Sequence, residues 1–271
     1  MTGLRVTASN VVVLGFKPQA VRALPVSNPE LERILELARR VVPGLCGEQC
    51  CNEMPISDEA QASILSMALS EHWRIAHREA GPHYAALRCW GLAIWQPIYL
   101  SVVAAHLDTH VPLLSGFEQP VVDGFPQKFR LPIHAPVGGT LSQRMLHASV
   151  ELRLFCDAMR TALMPRVGLH DSAADRLQAE CVLGALLLVR RYDRTMTDPE
   201  VIAVGEEWLK QLGIAGGCHF FVYRARDGTS SLALDRQVCC HHFRRRDGEK
   251  CSTCPKLSLD TRIARLLADQ S

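Results

Sequence analysis

The spacing of apolar and polar positions predicts a succession of long helices followed by one β-hairpin. Asn28-Pro29 sets an N-cap residue before a proline at the first helical position. Leu31, Ile34, Leu35, Ala38, Val41 and Val42 then recur at helical spacing until Pro43-Gly44 ends the run. A second helix is expected over 58–79 after Ser57, and a third over 83–106 through a nearly continuous apolar stretch. Pro112, Pro120, Pro126, Pro132 and Pro136 make the next segment irregular, with only 128–133 reading as extended. Helical patterns return over 140–164 and 172–192, and Thr197-Asp198-Pro199 caps a further helix that Gly213 stops.

After Gly216-Gly217 the period shortens to two. Phe220-Phe221-Val222-Tyr223 is rich in strand-forming residues, Asp227-Gly228 is a hairpin turn signal, and 230–238 returns with Leu232 and Leu234 alternating. The second strand therefore leads straight into Cys239. A short helix over 260–268 closes the chain. The expected fold class is α+β, mainly α-helical with a small antiparallel sheet near the C-terminus. Two units are expected: a helical scaffold with the substrate-binding region over 1–213, and the hairpin with its cysteine-rich tail over 214–271.

A chain of 271 residues can bury a core without a metal or disulfide staple. Hydrophobic residues at 48% and charged residues at 21% exclude a mainly disordered protein. A net charge of +2 is too balanced to indicate nucleic acid as a partner. The only apolar run near the start, 11–16, is shorter than the core of an export signal, so a cytoplasmic location with reduced thiols is expected. Residues 89–105 are apolar apart from Gln96 and Ser101 and just reach membrane-spanning length. Gln96-Pro97 at their centre favours a buried helix instead.

Four of the eleven cysteines fall in one short segment, Cys239, Cys240, Cys251 and Cys254, spaced C-C-x10-C-x2-C. A C-x-x-C turn places two thiolates on one side of the backbone, whereas adjacent residues in an extended chain face opposite ways. A single tetrahedral zinc wants four sulfurs converging on one point. A two-iron cluster is a wider target that adjacent cysteines meet more easily. Unligated thiols, a zinc knuckle and a [2Fe–2S] cluster all remain open on spacing alone.

The motif, delivered by a β-hairpin, resembles that of the FhuF-type ferric-siderophore reductase family. The stretch with Trp90, Trp95 and Pro97 is similar, more loosely, to the family's central helix. The resemblance implies a [2Fe–2S] cluster held by Cys239, Cys240, Cys251 and Cys254. It further implies one-electron reduction of Fe(III) in an imported siderophore, of hydroxamate type, and release of Fe(II). Where the family often carries two basic residues before the paired cysteines, this chain has Arg236 followed by Gln237. No G-x-G-x-x-G, Walker A, H-E-x-x-H or G-x-S-x-G pattern is present, so electrons are expected from outside: a ferredoxin, a flavodoxin or their NADPH-dependent reductase. Transient association with the inner membrane face fits the same picture.

Arg244, Arg245, Arg246 and Lys250 against Asp247 and Glu249 leave the loop between the cysteine pairs positive. Positive charge there favours the reduced, more negative cluster and attracts an anionic chelate, so Arg244, Arg245, Arg246 and His242 are the expected substrate contacts. The competing reading is a zinc-stabilised interaction protein with a basic tail.

Other candidates carry less. Cys46, Cys50 and Cys51 lack an obvious fourth ligand, and Cys89, Cys156, Cys181 and Cys218 fall in apolar segments as small buried hydrophobes. His72 and His77 are five apart and off a common helix face. His106 and His110 are better spaced but alone do not complete a site. Trp90 and Trp95 are expected in the core rather than in a pocket.

Overall fold

The computed structural model describes residues 27–51 and 56–269, so the apolar run at 11–16 lies outside the described residues. Helix α1 (Pro29–Val41) starts where expected: the Asn28 side chain accepts from the backbone N–H groups of Glu30 and Leu31, both at 3.0 Å. Strand β1 (Gly47–Cys50) follows, then α2 (Asp58–Trp73). Helix α2 stops six residues short of the expected end. Trp73 turns inward and donates from Nε1 to the Gly124 carbonyl at 2.8 Å, and His77 takes a left-handed conformation at φ 54°. A helix cannot continue through that residue, and only one 3-10 turn, Arg78–Ala80, precedes Gly81 at φ 86°.

Helix α3 (Pro82–Leu107) is the centre of the molecule and packs against α1, α2, α4 and α5. Among the described residues it is the one helix long and apolar enough to cross a membrane, and two-thirds of that apolar window is buried inside the protein. Its polar interruption explains why. Gln96 donates to the Gln127 carbonyl at 2.8 Å and accepts from Gln119 at 2.9 Å, so protein groups satisfy an amide that hydrocarbon would leave bare. The helix runs through Pro97 without interruption.

The proline-rich segment holds more pairing than its sequence suggests. Strands β2 (His110–Val111), β3 (Val121–Val122), β4 (Phe125–Pro126), β5 (Phe129–Pro132) and β6 (Val137–Gly138) lie in it. Of these, β5 matches the extended stretch expected at 128–133, yet its partner is the distant β1, in parallel register from Gly47↔Phe129 to Cys50↔Pro132. The two-residue pairs β2–β6 and β3–β4 are too short to carry an alternation signal.

Helix α4 (Leu141–Val167) begins with a capping box between Thr140 and Gln143 and passes the expected end to stop at Gly168, φ 63°. Helix α5 (Asp171–Tyr192) and helix α6 (Asp198–Gln211) follow, the latter capped by Thr197 and Glu200 and ended near Gly213. Strands β7 (Cys218–Arg224) and β8 (Ser230–Arg236) form the antiparallel hairpin, turning through Asp227-Gly228. Strand β8 ends at Arg236, two residues before the expected 238. The hairpin packs against α5, and helix α7 (Leu259–Ala268) closes the tail. The class is α+β and mainly helical, with the hairpin near the C-terminus.

Candidate metal centre

The site is built where β8 ends. In register Arg236 lies opposite Cys218, which puts its side chain against α5 with only 8% of the residue exposed. There its Nε stands 2.7 Å from Glu180 Oε2, and its Nη1 donates to Cys251 Sγ at 2.8 Å. Burial alone would discourage the charge. The Glu180 carboxylate and the Cys251 and Cys240 sulfurs outweigh it and raise the guanidinium above its ordinary value. Burial likewise pushes Glu180 up to about 6, against the pull of Arg236. A buried cation is thereby fixed on one of the four thiols.

The chain then reverses. Adjacent Cys239 and Cys240 take different partners, as opposed side chains of an extended segment must. Cys239 interacts with Cys254, and Cys240 with Cys251. His241 at φ 57° bends the backbone away, and a 3-10 turn (His242–Arg244) begins the loop. The second cysteine pair sits on a tight turn, with Cys254 N donating to Cys251 O at 3.0 Å. Helix α7 holds that turn in place: Arg262 pairs with Asp235 of β8 at 2.7 Å, and Arg265 donates to the Lys250 carbonyl.

The thiols are unequal. The neighbouring Cys251 thiol lowers Cys240, against burial, with the His242 N–H and Arg236 acting in the same direction. Cys251 is pushed up by the neighbouring Cys240 and by burial, and burial raises Cys239. Cys254 is buried, while the other three are partly open. Among the described residues no three His, Cys, Asp or Glu side chains converge on a point suited to one metal ion. The donor set is instead two facing thiol pairs beside a buried cation. That suits a group with two metals and net negative charge.

A cleft of about 540 Å³ opens onto the site between α3, α5 and β8, with Cys240, Cys251 and Arg236 among its lining residues. Of the four residues expected to contact substrate, only His242 borders it. Arg244 lies exposed beside Gly81, Arg245 is tied to Asp247 at 2.9 Å, and Arg246 is exposed near Glu79. Arg244 instead adjoins a second, basic hollow of about 340 Å³ that includes Arg74, His77, Arg78 and Arg166. The cleft residues Arg88, Tyr99, Leu177 and Glu180 belong to no motif, and sequence reasoning missed them. Two signals could have marked the place: a carboxylate at 180 inside an apolar helical pattern, and glycines at 91 and 184 in helix interiors.

The remaining candidates fall elsewhere. Trp90 is core, donating to the Ala174 carbonyl at 2.9 Å, whereas Trp95 borders the cleft. Cys181 also borders the cleft rather than lying sealed in the core; Cys89, Cys156 and Cys218 are buried. Burial pushes Cys89 and Cys218 up to about 12, which leaves both protonated. Cys46, Cys50 and Cys51 flank or lie in β1. His106 is half-buried and accepts from Trp208 Nε1 at 2.9 Å, whereas His110 lies on β2.

No solved structure matches this chain. Residues 236–256 match the family model described as the FhuF 2Fe-2S C-terminal domain, a span that opens on Arg236 and encloses all four cysteines of the tail. That match supports a place for the chain in the FhuF-type siderophore reductase family and gives the tail's cofactor as a [2Fe–2S] cluster.

Proposed function

We propose that this protein is a cytoplasmic ferric-siderophore reductase in which Cys239, Cys240, Cys251 and Cys254 hold the [2Fe–2S] cluster. One observation carries the reading: the buried Arg236 guanidinium, braced by Glu180, donates to Cys251 at 2.8 Å at the foot of an open cleft. A cluster held by these four cysteines would supply one electron at a time. Ferric iron in a chelate, once reduced, is held far less well by the hard oxygen donors of a siderophore. The iron is then free to leave.

The chain's own residues set the conditions. Arg236 offsets negative charge at the sulfurs, which favours the more reduced form of any group they hold. The cleft gives a ferric chelate a path to Cys240 and Cys251 while the core helices shield the opposite side. The sequence has no nucleotide-binding motif, so the electron comes from an external one-electron donor such as a ferredoxin or flavodoxin. Hydroxamate siderophores are the proposed substrate type, met at the inner membrane face after import.

The test is anaerobic purification followed by metal and acid-labile sulfide analysis and a turnover assay. Two irons and two sulfides per chain are expected. The reduced protein should also release ferrous iron from a ferric trihydroxamate, trapped by a coloured ferrous chelator. Stoichiometric zinc without sulfide would overturn the proposal in favour of a zinc-stabilised interaction protein.

A further inference from the structure

We infer that the outer face of α2 and α4 is the interface for a second copy of this chain, packed about a two-fold axis that crosses α4 between Val150 and Leu154. The two helices pack side by side, and they leave large apolar side chains on the surface: Leu146, Val150 and Leu154 on α4, with Ile64 and Met67 on α2. Leu154 is 64% exposed and Leu146 55%. Leu146, Val150 and Leu154 recur every four residues, so they form one stripe along the helix. Beside the stripe, Ser63 of α2 and Ala158, Thr161 and Ala162 of α4 line an open groove of about 750 Å³. Small side chains there leave room for a large one from outside.

Self-complementarity identifies the occupant. In a two-fold pair, a residue of one copy meets its counterpart's partner, and the contact repeats across the axis. With the axis midway between Val150 and Leu154 and the two α4 helices antiparallel, Val150 of each copy meets Leu154 of the other. Leu146 then meets Ala158 and fills the groove, and His147 meets Asp157. Protrusion and hollow thus lie on one helix at equal distances from the axis. The charges around the stripe are mixed, with exposed His147 and Arg153 against exposed Glu59 and Asp157. Such a surface matches a copy of itself, whereas an anionic bilayer would repel the two carboxylates.

The area suffices for a stable pair. The 27 residues of α4 span about 40 Å, and two helices side by side present a face about 20 Å wide. That is roughly 800 Å² per copy, the size of a standard specific interface. Covering the stripe removes apolar surface from water, which is the driving force for pairing. The cleft that reaches Cys240 and Cys251 is lined from α3, α5, β8 and the tail, and by no residue of α2 or α4. Pairing on this face therefore leaves the cleft of each copy open.

The experiment is sedimentation velocity of the full-length protein over a wide concentration range, with the dissociation constant read from the balance of monomer and dimer. Wild type is expected to reach twice the chain mass. Leu154→Glu should weaken pairing at least a hundredfold, because it sets a carboxylate against Val150 in the covered stripe. Two double variants fix the register. Val150→Lys with Leu154→Glu places opposite charges across the axis, and should pair at least tenfold more tightly than Val150→Glu with Leu154→Glu while both keep the wild-type far-ultraviolet spectrum. As a measurement that needs no variant, diluting wild type should shift the methyl resonances of Leu146, Val150 and Leu154 but not those of Val222, which is equally exposed on the hairpin. A monomer at every concentration, unchanged pairing in Leu154→Glu, equal pairing of the two double variants, or shifts centred on Val222 would overturn the assignment. Pairing and ferrous iron release are separate measurements, so neither result decides the other.

Discussion

Arg236 Nη1 donates to the Cys251 sulfur at 2.8 Å while its Nε stands 2.7 Å from Glu180. One guanidinium thus joins the hairpin, helix α5 and the cysteine turn. Hydrogen bonds to cluster sulfurs and nearby positive charge raise a reduction potential, because the reduced form is the more negative. Arg236→Gln is expected to shift the midpoint potential downward, and Glu180→Gln to shift it upward by leaving the cation uncompensated. Arg236→Gln also strands a buried carboxylate, which costs on the order of 3–5 kcal/mol in stability. Optical redox titration and urea denaturation read the two effects; an unchanged potential in both variants would remove Arg236 from the electronic role.

The paired thiols predict a sharp division among the cysteines. Cys251→Ser and Cys254→Ser should each lose most of the iron and acid-labile sulfide, whereas Cys46→Ser and Cys50→Ser should retain both. Iron and sulfide assays after anaerobic reconstitution decide it. Full iron content in Cys254→Ser would contradict the ligand set.

Burial, with Arg144 adding to it, lowers His106 to about 4, and the neutral ring accepts from Trp208 Nε1. The folded value lies below the unfolded value of about 6.5, so the unfolded chain takes up the proton first as pH falls. Stability from this residue is fully present above about 6.5, declines between there and about 4, and falls by roughly 3 kcal/mol at most. Urea denaturation of His106→Gln, which keeps an acceptor and cannot titrate, should show a flatter decline over that window than wild type. Parallel slopes would show that His106 does not titrate differently on folding.

If the proposed external donor is an acidic protein, the basic hollow with Arg74, Arg78 and Arg166, next to Arg244, is where charge would draw it. Reversing these charges with Arg74→Glu, Arg78→Glu and Arg166→Glu together should slow reduction by a flavodoxin about tenfold or more at low salt, with the difference shrinking at high salt. Reduction by dithionite should be unchanged. Stopped-flow traces of cluster bleaching separate the cases; equal slowing with both reductants would point to a damaged fold.

What the sequence determined is what short stretches of chain encode. The caps at Asn28 and Thr197, the Asp227-Gly228 hairpin and the C-C-x10-C-x2-C motif depend on neighbours a few residues apart, and all were legible without the fold. The spacing of the tail cysteines left zinc and a [2Fe–2S] cluster both open; the cluster came from the motif's resemblance to a family, and the family model matched at 236–256 agrees with it. Tertiary structure decided the rest. The pairing of β1 with β5, the stop of α2 at Trp73 and the hold of Glu180 on Arg236 each join residues more than fifty positions apart. No periodicity reports such a meeting, because it is fixed by how helices α3 and α5 and the hairpin pack. The cleft belongs to that same packing: its glycines were visible as letters, and only the assembled fold gave the space beside them a direction toward Cys240 and Cys251.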